Sequence, residues 1–119
     1  MTTQRLLSEI IDKDENAPVM VIFGGNPFRR DEVLQLIQSL SGITAYGVLS
    51  EKEGMQQLKT LPKVDLVLIG GRYTDEQRVR IRKYVQTHLP NTKTTEPSYE
   101  YPYQNAAITA DIKQKLGIK

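Results

Sequence analysis

Two glycine pairs in this sequence are each followed by residues that could hold an anion. The first pair lies in GGNPFRR, where Gly24, Gly25 and Asn26 precede Arg29 and Arg30. Glycine lets backbone N–H groups approach an oxyanion closely, a helix that starts at Asn26 would present further N–H groups, and the arginines add positive charge. The spacing matches neither G-x-G-x-x-G nor G-x-x-x-x-G-K-[ST], so an ordinary structural turn is the competing interpretation.

The second pair lies in GGRYT, where Gly70 and Gly71 precede Arg72 and Tyr73. The arginine could clamp an anionic group, and the tyrosine ring could stack on a planar one. If the strands before the two glycine pairs are neighbours in a parallel sheet, both turns open onto one crevice. The sequence therefore predicts a shared ligand site there, with the alternative that both turns pack beneath a tyrosine-containing loop.

That loop, SYEYPYQ, carries Tyr99, Tyr101 and Tyr103 at alternating positions. In an extended segment the three rings project to one side. They are candidates for a partner surface or for a lid over the crevice, because tyrosine is enriched at protein interfaces. Simple covering of the core edge is the alternative.

The composition disfavours catalysis, although the residues alone leave an enzyme open. The chain has no Cys and one His, His88, so we expect no metal site, thiol nucleophile, disulfide or Ser/His/Asp triad, and no cofactor. The helical position of His88 predicts a core or boundary residue. The remaining acids and bases form no recognised catalytic spacing.

Charge is nearly balanced overall but unevenly distributed. Sixteen Lys and Arg oppose fourteen Asp and Glu, for a net charge of +2, which disfavours nucleic acid as a partner. Residues 70–93 are rich in bases and residues 1–32 in acids, which suits self-association or a charged protein partner, with a solvated helix face as the alternative. Arg78 follows Asp75 and precedes Arg82 at helical spacing, which predicts local pairing.

Predicted strands and helices alternate along the 119-residue chain and must position these residues. We expect a single α/β domain over 1–119, with a leading helix appendage over 1–16. Apolar runs at 18–23, 43–49 and 64–69 predict strands, and a short Thr-rich segment at about 92–96 predicts a fourth. Capping residues Asn26, Ser50 and Thr74 predict helix starts, and Ile108, Ile112 and Leu116 mark a final helix. This order predicts a small doubly wound parallel sheet of about four strands with helices on both faces, a flavodoxin-like fold.

The apolar runs are far shorter than the about 20 residues of a membrane-spanning helix. The first residues, MTTQRLLSEIIDKDEN, lack the continuous apolar stretch of a secretory signal. A cytoplasmic protein without membrane contact is therefore expected.

Three segments, VMVIFGGN, EGMQQLKTLP and LPKVDLVLIGG, resemble the response-regulator receiver family across residues 17–90. The resemblance puts the family's magnesium-binding acid pair on Gly24 and Gly25 and its phosphoacceptor aspartate on Gly70. Glu96-Pro97 stands at the place of the family's Lys-Pro, and four strand–helix units fit where the family has five. The resemblance therefore implies a degenerate receiver-like domain without phosphotransfer, which acts by association with a protein partner or with itself as a homodimer. The alternative is a small anion- or nucleotide-binding module that uses the two glycine turns.

Overall fold

The computed structural model describes residues 9–24, 26–71, 73–97 and 104–117. Their strands form one sheet of order β1-β3-β2-β4-β5, in which β2 to β5 are parallel and β1 is antiparallel to β3. In chain order the elements are β1 (Glu9–Ile10), β2 (Val19–Phe23), α1 (Pro27–Leu40), β3 (Thr44–Val48), α2 (Glu51–Thr60), β4 (Leu66–Ile69), α3 (Asp75–His88), β5 (Lys93–Thr95) and α4 (Asn105–Leu116). The predicted α/β architecture is confirmed.

The strand at the edge of the sheet, β1, differs from the prediction. Glu9 lies opposite Tyr46 and Ile10 opposite Ala45, so the predicted helix over 1–16 is wrong from residue 9 onward; residues 1–8 lie outside the described part of the chain. Ile10 packs against buried core residues, and this tertiary contact overrides the local helical spacing. The sheet therefore has five strands instead of about four.

The three predicted capping residues begin their helices as expected. Asn26 caps α1, and the Ser50 side chain accepts a hydrogen bond from the Glu53 N–H at the start of α2. At α3 both halves of the capping box are formed between Thr74 and Gln77. These caps fix where each helix leaves the carboxyl edge of the sheet.

The core has one layer on each face of the sheet. Helices α1 and α4 cover one face, and α2 and α3 cover the other. On α3 the inward stripe is Arg78, Ile81 and Val85, whereas Tyr84 is half-buried and His88 is exposed. The prediction of a core or boundary position for His88 is thus wrong: α3 ends at this residue, and the next residue, Leu89, packs against the core cluster in its place. Instead, the His88 ring lies 4.6 Å from that of Tyr84.

The chain reverses its direction of travel across the sheet between β2 and β4. From β2 it moves outward to β3, then crosses back to place β4 on the other side of β2. The conditional expectation that the strands before the two glycine pairs are neighbours is therefore confirmed. In such sheets the crevice at the carboxyl ends of these two strands is the usual ligand site.

Candidate functional site

The two glycine turns meet at this crevice. The Gly70 N–H donates to the Phe23 carbonyl oxygen at 2.8 Å, and the Gly24 N–H donates to the Val48 carbonyl oxygen at 2.9 Å. Both bonds continue the sheet ladder past the ends of the strands, and the first holds the two turns side by side. Gly71 is exposed, while Gly25 and Arg72 lie outside the described residues.

Tyr73 occupies the crevice from within. Its side chain is 6% exposed, its ring lies 6.0 Å from that of Phe23 in an edge-to-face arrangement, and its hydroxyl donates to the Gly24 carbonyl oxygen at 3.3 Å. Burial raises the pKa of Tyr73 to about 12, with smaller contributions from the carboxylates of Glu53 and Glu51. The phenol is therefore neutral and packed in the core, instead of offering a face to a ligand.

Arg30 lies beside the crevice, on the side of β3. It is buried, and its Nε donates to Asp31 Oδ1 at 3.1 Å. Its aliphatic stem lies over two glycines: a Cβ would stand 2.8 Å from Arg30 Cδ at Gly47 and 3.0 Å from Arg30 Cβ at Gly24. Gly47 lies inside β3, and a glycine inside a strand is a sequence signal for the close approach of another group.

Several polar groups of GGNPFRR already form hydrogen bonds or ion pairs within the first turns of α1. Asn26 Oδ1 accepts hydrogen bonds from the N–H groups of Phe28 at 2.8 Å and Arg29 at 3.3 Å. The Arg29 guanidinium contacts Glu32 at 3.1 Å, with both side chains about half exposed. Phe28 is 68% exposed, so an aromatic ring stands on the surface beside the crevice.

A buried ion-pair cluster anchors the other side of the crevice. Glu96, 2% exposed, lies 3.3 Å from Arg78 Nη1 and 3.5 Å from Arg82 Nε. Arg78 Nε also donates to the carbonyl oxygen of Tyr73 at 3.2 Å. The predicted local pairing of Arg78 is thus corrected to a long-range pair, because Glu96 follows β5 directly beneath α3. The only sequence signal for it is an acid between a strand and Pro97.

The third group of predicted site residues is the set of alternating tyrosines. The predicted interface or lid residues Tyr99, Tyr101 and Tyr103 lie outside the described residues. Within the described ranges, no group of three or more His, Asp or Glu side chains is arranged to hold a metal ion. In the same part of the chain, no helix is both long and apolar enough to cross a membrane.

Comparison with known proteins finds similarity in structure alone. No family model matches the sequence, and no curated protein matches it. Among solved structures, the chain is similar to a response regulator receiver protein from Burkholderia phymatum, with a TM-score of 0.62 and 15% sequence identity. The match covers 86% of this chain and 97% of the other. The protein therefore has a receiver-like fold.

Proposed function

We propose that this chain is a single receiver-like domain that acts by protein–protein association and performs no phosphotransfer. The observation that carries the proposal is the geometry at Gly70, where the resemblance puts the phosphoacceptor. A Cβ at this position would lie 2.9 Å from the carbonyl oxygen of Phe23, a distance that real Cβ atoms essentially never show. Since that oxygen belongs to the backbone of a central strand, the site is built around glycine and has no room for an acceptor side chain.

The chemistry of the other crevice residues supports the same conclusion. Magnesium requires oxygen ligands such as carboxylates, and a phosphoryl acceptor requires a nucleophile. Gly24 supplies neither, and a Cβ at this position would lie 3.0 Å from Arg30 Cβ. The space between the two turns holds the neutral phenol of Tyr73. Side-chain packing thus stands where phosphotransfer would need metal-binding carboxylates.

Association is favoured over anion binding by the contacts at the start of α1. The Asn26 side chain already caps the first N–H groups, and Arg29 and Arg30 each contact a neighbouring carboxylate. An anion would have to displace these partners. By contrast, the exposed ring of Phe28 is an aromatic group of the kind that anchors protein interfaces.

Phosphodonor treatment combined with a mass measurement tests the proposal. The protein is incubated with acetyl phosphate and Mg²⁺, beside a receiver domain that retains its acids, and both are analysed by intact mass spectrometry. We expect a phosphoryl adduct on the control only, and association of this chain, measured by light scattering and co-purification, that is unchanged by the donor. An adduct on this chain, or a monomer with no recovered partner, would overturn the proposal.

A thermal-shift measurement tests the anion-binding alternative separately. Inorganic phosphate and flavin mononucleotide are added to the protein and to Arg29→Ala. We expect no saturable stabilisation by either compound. A stabilisation that disappears in Arg29→Ala would favour the binding module instead.

A further inference from the structure

Tyr73 is the inward-facing residue of the turn between β4 and α3. Its N–H donates to the Gly70 carbonyl oxygen at 3.5 Å, which is long for a hydrogen bond. The first main-chain bond of α3 runs from the Arg78 N–H to the Thr74 carbonyl oxygen, at 2.9 Å. The carbonyl of Tyr73 therefore lies just outside the hydrogen bonds of the helix itself, and a donor for it must come from a side chain or from elsewhere in the chain.

The Arg78 side chain supplies such a donor. Its Nε donates to the Tyr73 carbonyl oxygen at 3.2 Å, and its Nη1 donates to Glu96 Oε1 at 3.3 Å. Arg78 and Glu96 are both buried, with 6% and 2% of their surface exposed. Since the guanidinium is planar and rigid, holding Nη1 at the carboxylate also fixes the direction in which Nε points.

The same tyrosine is bonded to β2 through its side chain. The hydroxyl donates to the Gly24 carbonyl oxygen at 3.3 Å, directly after the end of β2. Hydrogen bonds thus run without a break from Glu96, which follows the edge strand β5, through Arg78 and Tyr73 to the centre of the sheet. Buried bonds in series strengthen one another, so the positions of the groups that they join are coupled.

We propose that Glu96 and Arg78 form a latch that holds Tyr73 in the crevice and makes local opening of the crevice rare. In the open state the Tyr73 hydroxyl leaves the Gly24 carbonyl and reaches solvent, while the sheet and α3 keep their packing. Glu96 and Arg78 are positioning residues, because they act through the backbone of Tyr73. The latch couples the edge of the sheet to the crevice: a change that draws Glu96 away from Arg78 raises the population of the open state.

Nitration by tetranitromethane, read by peptide mass mapping, measures how often the Tyr73 hydroxyl reaches solvent. The reagent attacks an ionised, accessible phenol, whereas the phenol in the crevice is buried and neutral. Arg78→Lys keeps the positive charge beside Glu96 but replaces the rigid fork with a single nitrogen. We expect it to nitrate Tyr73 about tenfold faster or more, as loss of a hydrogen bond to a charged group implies. Nitration of Tyr84, half-buried on α3, is the internal reference and should not change.

A double apolar variant separates the latch from general stability. Arg78→Met combined with Glu96→Leu should be more stable in urea than Glu96→Leu alone, because the single variant leaves Arg78 buried without this carboxylate. The double variant has no side-chain donor at position 78, so it should still nitrate Tyr73 as fast as Arg78→Lys does. Ile112→Ala, a truncation in the core layer on the other face of the sheet, is the matched control. It lowers stability and should leave Tyr73 protected.

Either of two results would overturn the latch. One is a Tyr73 that stays as protected in Arg78→Lys and in the double variant as in the parent. The other is equally fast nitration in Ile112→Ala, which would make protection a measure of global stability alone. Circular dichroism melts confirm that each variant is folded, and Glu96→Gln replaces Arg78→Lys if the latter does not fold. A chain that associates with nothing contradicts the proposed function and leaves these nitration rates, and hence the latch, unaffected.

Discussion

Replacing Tyr73 with alanine should be far more destabilising than its loop position suggests. The ring is 6% exposed and packs edge-to-face on Phe23, and its hydroxyl bonds to Gly24. Truncating a buried aromatic residue to alanine typically costs about 3–5 kcal/mol, which already includes the lost burial and the cavity left behind. We therefore expect a loss of about 4 kcal/mol, a large share of the stability of about 5–15 kcal/mol that is usual for a domain.

Urea unfolding followed by circular dichroism measures this loss. Tyr84→Ala is the matched control, because Tyr84 is half-buried on the neighbouring helix α3, and it should cost clearly less. Tyr73→Phe keeps the ring and removes one neutral hydrogen bond, so it should cost only about 1 kcal/mol. If Tyr73→Ala does not fold, Tyr73→Leu replaces it. Its loss of stability should be smaller, and the ranking of the variants should stay the same.

Phenol provides a second readout of the same cavity. Phenol should stabilise Tyr73→Ala in a saturable way, because a ligand that binds only the folded state raises its stability by mass action. The parent protein and Tyr84→Ala should not respond. The reasoning is refuted if Tyr73→Ala costs no more than Tyr84→Ala, or if phenol stabilises both variants equally.

Three further predictions concern packing and charge near the crevice. The pKa of Tyr73 is raised from 10.0 to about 12, so the contribution of the neutral phenol is complete below pH 10 and is lost as the pH rises to 12; alkaline unfolding should show a loss of up to about 3 kcal/mol that Tyr73→Phe lacks. Glu96→Ala leaves the buried Arg78 without this carboxylate and should cost about 3–5 kcal/mol in urea unfolding, whereas an apolar replacement of both residues should cost less. Gly54→Ala would put a Cβ 1.9 Å from the Phe23 ring, so thermal melts should show destabilisation despite the better helix propensity of alanine, and Phe23→Leu in the same chain should relieve part of it.

Local signals made much of the fold predictable. Asn26, Ser50 and Thr74 act on N–H groups two or three residues ahead, so their helix starts can be deduced from the sequence alone. The two central strands, β2 and β4, carry uninterrupted apolar runs that are buried almost throughout. The two-residue strand β1 has no such signal, since its conformation is set by its pairing with β3.

The candidate site was less predictable because its contacts join distant parts of the chain. Gly24 and Gly70, the first residues of the two glycine turns, lie side by side, as follows from the pairing of β2 with β4. That Tyr73 points inward to Gly24, 49 positions earlier, depends on the space left above Phe23. The packing of the Arg30 stem over Gly47 is a second contact of this kind, because nothing in the sequence pattern connects these two residues.

The central claim is that the crevice is closed by the chain's own side chains and takes no part in phosphoryl transfer. Its most direct test is a nuclear magnetic resonance titration with Mg²⁺ and beryllofluoride, a mimic of the phosphoryl group, that follows the amides of Gly24, Gly70 and Tyr73. We predict that these three resonances stay unchanged at saturating concentrations. Saturable shifts of the three amides would show an open, phosphoryl-accepting crevice and would contradict the claim.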